Sequence, residues 1–312
     1  MHPIRPERGV TLIELVLTIV IVGIILTAIA YFINPLRQGT NVAVRAELTD
    51  IADNALQRIG RDVKLALPNS IRVTPSAGPP PYYIEFLAIR DAGRYRADSG
   101  SVAGGTACEA DDSTLSIADN DQLSFDLSAA IPPGDQCFKT LGLLSNAAAV
   151  TTNDFLVLNN YGPAFPNQNA YEVGAANRAQ INAAIGVEAE RNRVHFAKTN
   201  LSRALHDSPG KRFFIISGPV SYVCDTSTGT IRRHWNYGGG SGSTPAAAQP
   251  TSFSSGSSAL IAENVTDCSF KYSTVGPQLG LVTMQITLQR QLFDGALETI
   301  SLYHAVHVNN AP

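Results

Sequence analysis

RGVTLIELVLTIVIVGIILTA, residues 8 to 28, is an apolar stretch of membrane length that contains one carboxylate, Glu14, five residues past Gly9. From Leu15 to Ile33 there are nineteen residues without a charge. As a helix rising 1.5 Å per residue they cover about 28 Å, close to the hydrocarbon core of a bilayer. The leader MHPIRPERG carries Arg5 and Arg8. Positive charge on that side predicts a cytoplasmic N-terminus and a C-terminal bulk on the far side of the membrane. No small-x-small site follows the apolar run before Arg45, so removal of the whole segment as an ordinary secretory signal is not expected. An acid inside such a helix is tolerable near the headgroups, where it can snorkel, or wherever it finds a positive partner.

Working outward, Asn34 and Pro35 predict a break or kink, with a polar interval at 36–41. A helical period resumes with Val44, Leu48, Ile51, Ala55, Ile59, Val63 and Leu67 on one stripe. Arg45, Asp50, Asp53, Arg58, Arg61 and Lys64 lie largely off it, and Pro68 with Asn69 ends the element. The remainder reads as short strands at 82–89, 123–127, 155–159, 193–197, 213–225, 230–237 and 268–273. At the C-terminus Val282, Met284, Ile286 and Leu288 alternate with polar residues. After a turn near Asp294 and Gly295, Ile300, Leu302, Val306 and Val308 do so again, which predicts a hairpin with one buried face. GGGSGSTPAAAQPTSFSSGSS (238–258) reads as an exposed mobile loop, and 98–121 and 160–190 as long polar insertions.

The fold class expected is therefore α+β. A long N-terminal helix, half in the membrane and half amphipathic, packs on a mainly antiparallel head with long loops. The net charge of -3 and pI near 6.1 supply no basic field for nucleic acid. Four cysteines in an exported head suggest two disulfides, most simply Cys108–Cys137 and Cys224–Cys268; zinc would need closely spaced ligand pairs, which are absent. His304 and His307, three apart on a strand, face opposite sides and do not form a metal pair. His195, His206 and His234 have no ligand-spaced partners. Asp111, Asp112, Asp119 and Asp121 lack the glycine and terminal glutamate of a calcium loop. No catalytic serine, phosphate-loop, dinucleotide or zinc-protease motif is present, so neither catalysis nor a cofactor or metal is expected.

Gly9, Val10, Thr11, Leu12, Ile13 and Glu14 resemble the signal of type IV prepilins and type II secretion pseudopilins. The resemblance implies cleavage by a prepilin peptidase between Gly9 and Val10 and N-methylation of the new amine on Val10. It also implies a register role for Glu14, paired with the N-terminal amine of a neighbouring subunit. Val10 departs from the phenylalanine most often found there. NALQRIGRDVKLALPNSIRV and the closing YHAVHVNNAP resemble minor prepilins of the MshO type, from the mannose-sensitive haemagglutinin (MSHA) pilus system. The alternatives are a J-type minor pseudopilin and a membrane-anchored protein that never enters a filament. The implied organisation is a leader at 1–9, a membrane and filament-core helix at 10–34, an amphipathic helix at 41–67 and a periplasmic head at 68–312. The implied partners are the prepilin peptidase, other minor and major pilins and the inner membrane, with a final place in a pilus, at its tip.

Overall fold

The computed structural model describes residues 9–75, 80–96, 123, 137–187, 192–197, 201, 208, 210–239, 244–274, 278–292 and 295–312; at 30 and 32–40 it describes the backbone alone. Among the described residues one α-helix, α1 (Leu12–Lys64), is followed by thirteen strands. These are β1 (Arg72–Thr74), β2 (Tyr82–Arg94), β3 (Cys137–Lys139), β4 (Phe155–Leu158), β5 (Arg178–Gln180), β6 (Gly186–Val187), β7 (Asn192–His195), β8 (Arg212–Asp225), β9 (Thr230–Trp235), β10 (Ser257–Glu263), β11 (Val265–Thr274), β12 (Leu279–Gln291) and β13 (Leu297–Asn309). The architecture is α+β and pilin-like. The chain divides into two compact units, one formed by the part up to Asp50 with Gln289–Ile300, the other by Ile51–Leu288 with Ser301–Pro312.

In the first unit, the window Leu12–Ile29 has a mean hydropathy of 2.8 and no buried residue. The tip of the β12–β13 hairpin is tied to the middle of α1 by ion pairs. Arg45 lies 3.5 Å from Glu298, and Arg290 donates to Glu47 at 2.6 Å. Both pairs are exposed, so each contributes well under about 1 kcal/mol. Of the break or kink expected at Asn34 and Pro35, the break is corrected: the helix runs through both. Proline removes one N–H, and the long hydrogen-bonded ladders on either side carry the helix past it.

In the second unit the predicted stripe is buried at Ala55, Ile59, Val63 and Leu67, joined by Ala52, Leu56 and Gly60, which complete a wider apolar face. Gly60 is a point of close approach. A Cβ there would lie 3.1 Å from both His304 Nε2 and Val306 Cγ2 on β13. The helix ends at Lys64, earlier than Pro68, because the next residues turn onto β2. Leu67 N–H donates to Leu87 O and Ile89 N–H to Leu65 O.

The main sheet runs β1-β2-β8-β4-β5, with β9 also on β8 and β10 outside β9. Its described pairs are all antiparallel. β4 explains why an unbroken apolar run was needed at 155–158. Leu156 and Leu158 enter one core cluster with Phe138, Val194, Phe196 and Phe213, whereas Phe155 and Val157 enter another with Leu67, Leu87 and Tyr171. Both faces of that strand are covered, so strict alternation disappears. Among the described residues two smaller sheets, β3-β7-β6 and β11-β12-β13, lie in the head. In the last of these Val282, Met284, Ile286 and Leu288 are fully buried and Val306 and Val308 nearly so, as the alternation predicts. The turn at Gly295 is closed by its N–H to Leu292 O, while Asp294 lies outside the described residues.

The segment 160–187 is folded in, with Ala170, Tyr171, Asn177 and Arg178 buried. Asn160 makes this possible by donating to Pro68 O and accepting from the Ala170 N–H, so backbone groups are satisfied by side chains. The described part of the Gly/Ser-rich stretch, 238–239 and 244–256, is largely exposed, as expected, and is anchored on the head: Phe253 stacks on His234 at 4.2 Å and meets Tyr237 edge-on at 4.8 Å. Its last residues, 257–258, open strand β10. Residues 98–121 and all of the predicted strand at 123–127 except Leu123 lie outside the described residues.

Cys224 on β8 and Cys268 on β11 form a disulfide that staples the main sheet to the three-stranded one. Cys137 is buried and is not a free thiol, and its expected partner Cys108 lies outside the described residues. The four calcium candidates Asp111, Asp112, Asp119 and Asp121, and His206, lie outside them too.

Candidate functional site

The N-terminal segment is built around the start of α1. Thr11 stands at the N-cap: its carbonyl accepts the first helical bond from Leu15 N–H at 3.1 Å, and its Oγ1 accepts from Glu14 N–H at 3.4 Å. Thr11-x-x-Glu14 thus has the spacing of a capping box, with Glu14 in the third helical position. The carboxylate therefore sits where the unpaired N–H groups of the first turn concentrate partial positive charge, an arrangement typically stabilising by about 0.3–1 kcal/mol at an exposed site. Glu14 is locally matched to its helix before any partner arrives. Sequence reading took Thr11 only as a residue of the signal and missed its capping role, although threonine three residues before glutamate at the head of an apolar run is the sign of it.

Gly9 and Val10 lie just ahead of this cap, exposed. No heavy atom lies within 4 Å of the position a Cβ on Gly9 would take. Among the described residues nothing requires glycine there, so a requirement for it would be imposed from outside. Beyond them Leu12, Ile13, Leu15, Val16 and Leu17 are each at least half exposed, an apolar surface with no cover among the described residues.

The head carries polar clusters that are satisfied internally. Arg72 donates to Glu85 Oε2 at 2.6 Å and to the carbonyls of Ala247 and Ala246, and its guanidinium lies 3.8 Å above the Tyr171 ring. Tyr237 OH donates to Glu85 Oε1 and lies 2.7 Å from Ser221 Oγ. Burial raises the Glu85 carboxyl above its ordinary value against the pull of Arg72 and Tyr237. Burial likewise raises Tyr171 and Tyr237, with the charge of Glu85 adding to both. Asp62, at the end of α1, accepts from Tyr222 OH at 2.7 Å and from Arg233 Nε at 2.8 Å. Arg178 is lowered to about 10 by burial and donates to the carbonyls of Ala170 and Glu172. These groups clamp loops to the sheet.

The predicted histidines stay apart. His304 is half-buried on the inner face of β13 and His307 exposed on the outer one. His195 and His234 are lowered by burial, with Arg193 and Arg232 respectively adding to the effect. Among the described residues no group of three or more His, Cys, Asp or Glu side chains could hold a metal ion.

A family model described as the prokaryotic N-terminal methylation motif matches residues 4–30. No curated protein and no solved structure matches the chain. The matched region contains Gly9, Val10, the Thr11 cap, Glu14 and nearly all of the apolar half of the helix. In this segment the chain is similar to type IV pilin and pseudopilin precursors, which fits a membrane-anchored, single-pass structural protein.

Proposed function

We propose that the protein is a minor pilin of the MshO type that helps to initiate or cap an MSHA-like type IV pilus. The observation that supports its pilin-like part is the methylation motif at residues 4–30, joined to an exposed apolar helix and a β-rich head; the MshO-type part rests on the resemblance of NALQRIGRDVKLALPNSIRV and YHAVHVNNAP. Prepilin peptidase removes residues 1–9 from an N-in, C-out precursor and the amine of Val10 is methylated. Residues 10–34 serve first as membrane anchor and then as filament core, 41–67 as the amphipathic support, and 68–312 as the periplasmic head. Cys108 and Cys137 close a second disulfide in that head.

The Thr11 cap refines the role of Glu14. Its carboxylate is poised beside the new N-terminus by the helix start, so pairing with the amine of a neighbouring subunit adds a full charge to a partial one. That pairing selects axial register. A large head with internally braced loops suits a low-copy subunit at a tip, where no identical head must pack around it. The same leader, amphipathic helix and broad head also suit a J-type minor pseudopilin of a type II secretion system; the genes beside this one separate the two.

Mass spectrometry of the mature N-terminus tests the reading. An N-methylated Val10 is expected in the wild type, an unprocessed chain in Gly9→Ala, and a processed chain that enters filaments poorly in Glu14→Ala. An intact Met1 in the wild-type protein leaves only an unprocessed membrane anchor.

A further inference from the structure

Strand β8 changes neighbours along one edge: residues 213–216 pair with β4 and 220–225 with β9. Between these stretches its pairing with β2, on the other edge, is interrupted twice. Ala88 pairs with Gly218 and Ile89 with Ile216, which bulges Ser217; Asp91 then pairs with Ile215, which bulges Arg90. Bulges of this kind re-aim side chains. Both displaced residues line one cavity of about 350 Å³, together with Asn146, Arg233, Asp62 and Leu65.

The donors of this cavity are held in place from behind. Arg90 Nε lies 2.8 Å from Asp154 Oδ2, and Arg233 Nε donates to Asp62 Oδ2 at the same distance. Each pairing uses the Nε side of the guanidinium. Among the described residues no hydrogen bond engages the η-nitrogens of either arginine, and both side chains remain reachable, at 30% and 21% exposure. The acids behind them are already committed. Asp154 Oδ2 accepts from Thr151, Asp62 Oδ2 from Tyr222, and the neighbouring Asp91 from Ser145 and Asn146. The cavity is lined by the side chains of Arg90 and Arg233, the Asp62 carboxylate that Arg233 already pairs, Asn146, the Ser217 hydroxyl that also donates to Ala88 O, and an apolar rim. A guanidinium fork matches the two oxygens of a carboxylate.

We infer that this cavity is a carboxylate-binding site, taking either a small free carboxylate or an acidic side chain of another protein. The inference does not depend on filament assembly. Trp235, the only tryptophan in the chain, reports on it, because the Arg233 guanidinium lies 5.0 Å from its ring. The test uses the full chain in detergent micelles, titrated with sodium succinate and separately with N-acetyl-aspartate amide, and sodium chloride at matched ionic strength as blank. Tryptophan emission and titration heat are followed. A saturable response to a carboxylate and none to chloride is expected. Succinate alone acting identifies a free carboxylate as ligand; the aspartate derivative acting, alone or with succinate, identifies a side-chain source. Ser217→Leu, which fills the cavity, and Arg233→Lys, which keeps the charge and loses the fork, should each weaken binding by about tenfold, or about 1.4 kcal/mol. Near-UV circular dichroism checks that each variant is folded, and Arg233→Lys alone decides if Ser217→Leu is not. No saturation by either probe up to about 10 mM, tenfold above a weak Kd of about 1 mM, overturns the proposal. So does unchanged affinity in the folded variants.

Discussion

Replacing Cys224 and Cys268 together by alanine removes the staple between the main sheet and the three-stranded sheet. The two residues are 44 apart in sequence. In the chain-entropy description, closing a loop of that length lowers the entropy of the unfolded chain by about 13 cal/mol/K, or about 4 kcal/mol of native stability at 25 °C. Against a usual total of about 5–15 kcal/mol, that is a large share. For a body of this size it corresponds to a fall in melting temperature of roughly 8–16 °C. The folded state itself gives up little, since each substitution removes one buried sulfur atom and alanine leaves no unsatisfied polar atom in its place. Guanidinium unfolding of the full chain in micelles, followed by Trp235 emission, measures the change, because Trp235 lies on β9 beside the strand that carries Cys224. The midpoint should fall while the slope rises or stays constant. A loss below about 1 kcal/mol would refute the assignment of this stability to loop closure.

Three further outcomes follow from the geometry. Gly60→Val should cost about 1–3 kcal/mol in chemical denaturation, although leaving glycine favours the helix, because the new side chain meets His304 and Val306 at 3.1 Å; a stabilised variant would contradict the close approach. Glu85 titrates above its ordinary value through burial, so its contribution to stability is complete below pH 4.5 and is lost as pH rises through the native value. The stability of the wild type relative to Glu85→Gln should therefore decline with rising pH across that window, and a flat difference would exclude burial as the dominant cause. Phe253→Ala should cost about 1–3 kcal/mol and open 244–256 to proteolysis, since its ring stacks on His234 and meets Tyr237 edge-on; undiminished protease resistance would show that Arg72 and Tyr83 hold the segment alone.

The amino-acid order of residues 9 to 67 and 279 to 308 was legible because each depends on a local period. An apolar run of membrane length, a stripe at helical spacing and a two-residue alternation follow from chain geometry alone. Thr11 was legible in principle through its spacing to Glu14. The strands β1, β3, β5, β6 and β10 were not, because they are short or polar and owe their existence to a neighbour. Pro35 misled because a local rule met long helical ladders on both sides. The partial burial of 160–187 and the anchoring of 244–256 rest on Asn160, Arg72 and Phe253, whose partners lie from 10 to 175 residues away.

By itself, then, the sequence determined the signal segment, the apolar helix and the α+β character, since these arise from residues close in the chain. Only the tertiary structure decided where the polar loops fold back and how the two bulges of β2 and β8 meet. It alone brought Arg90, Ser217 and Arg233 to one cavity. Strand pairing sets that proximity through backbone hydrogen bonds, which are the same for every side chain and leave no mark in the amino-acid order.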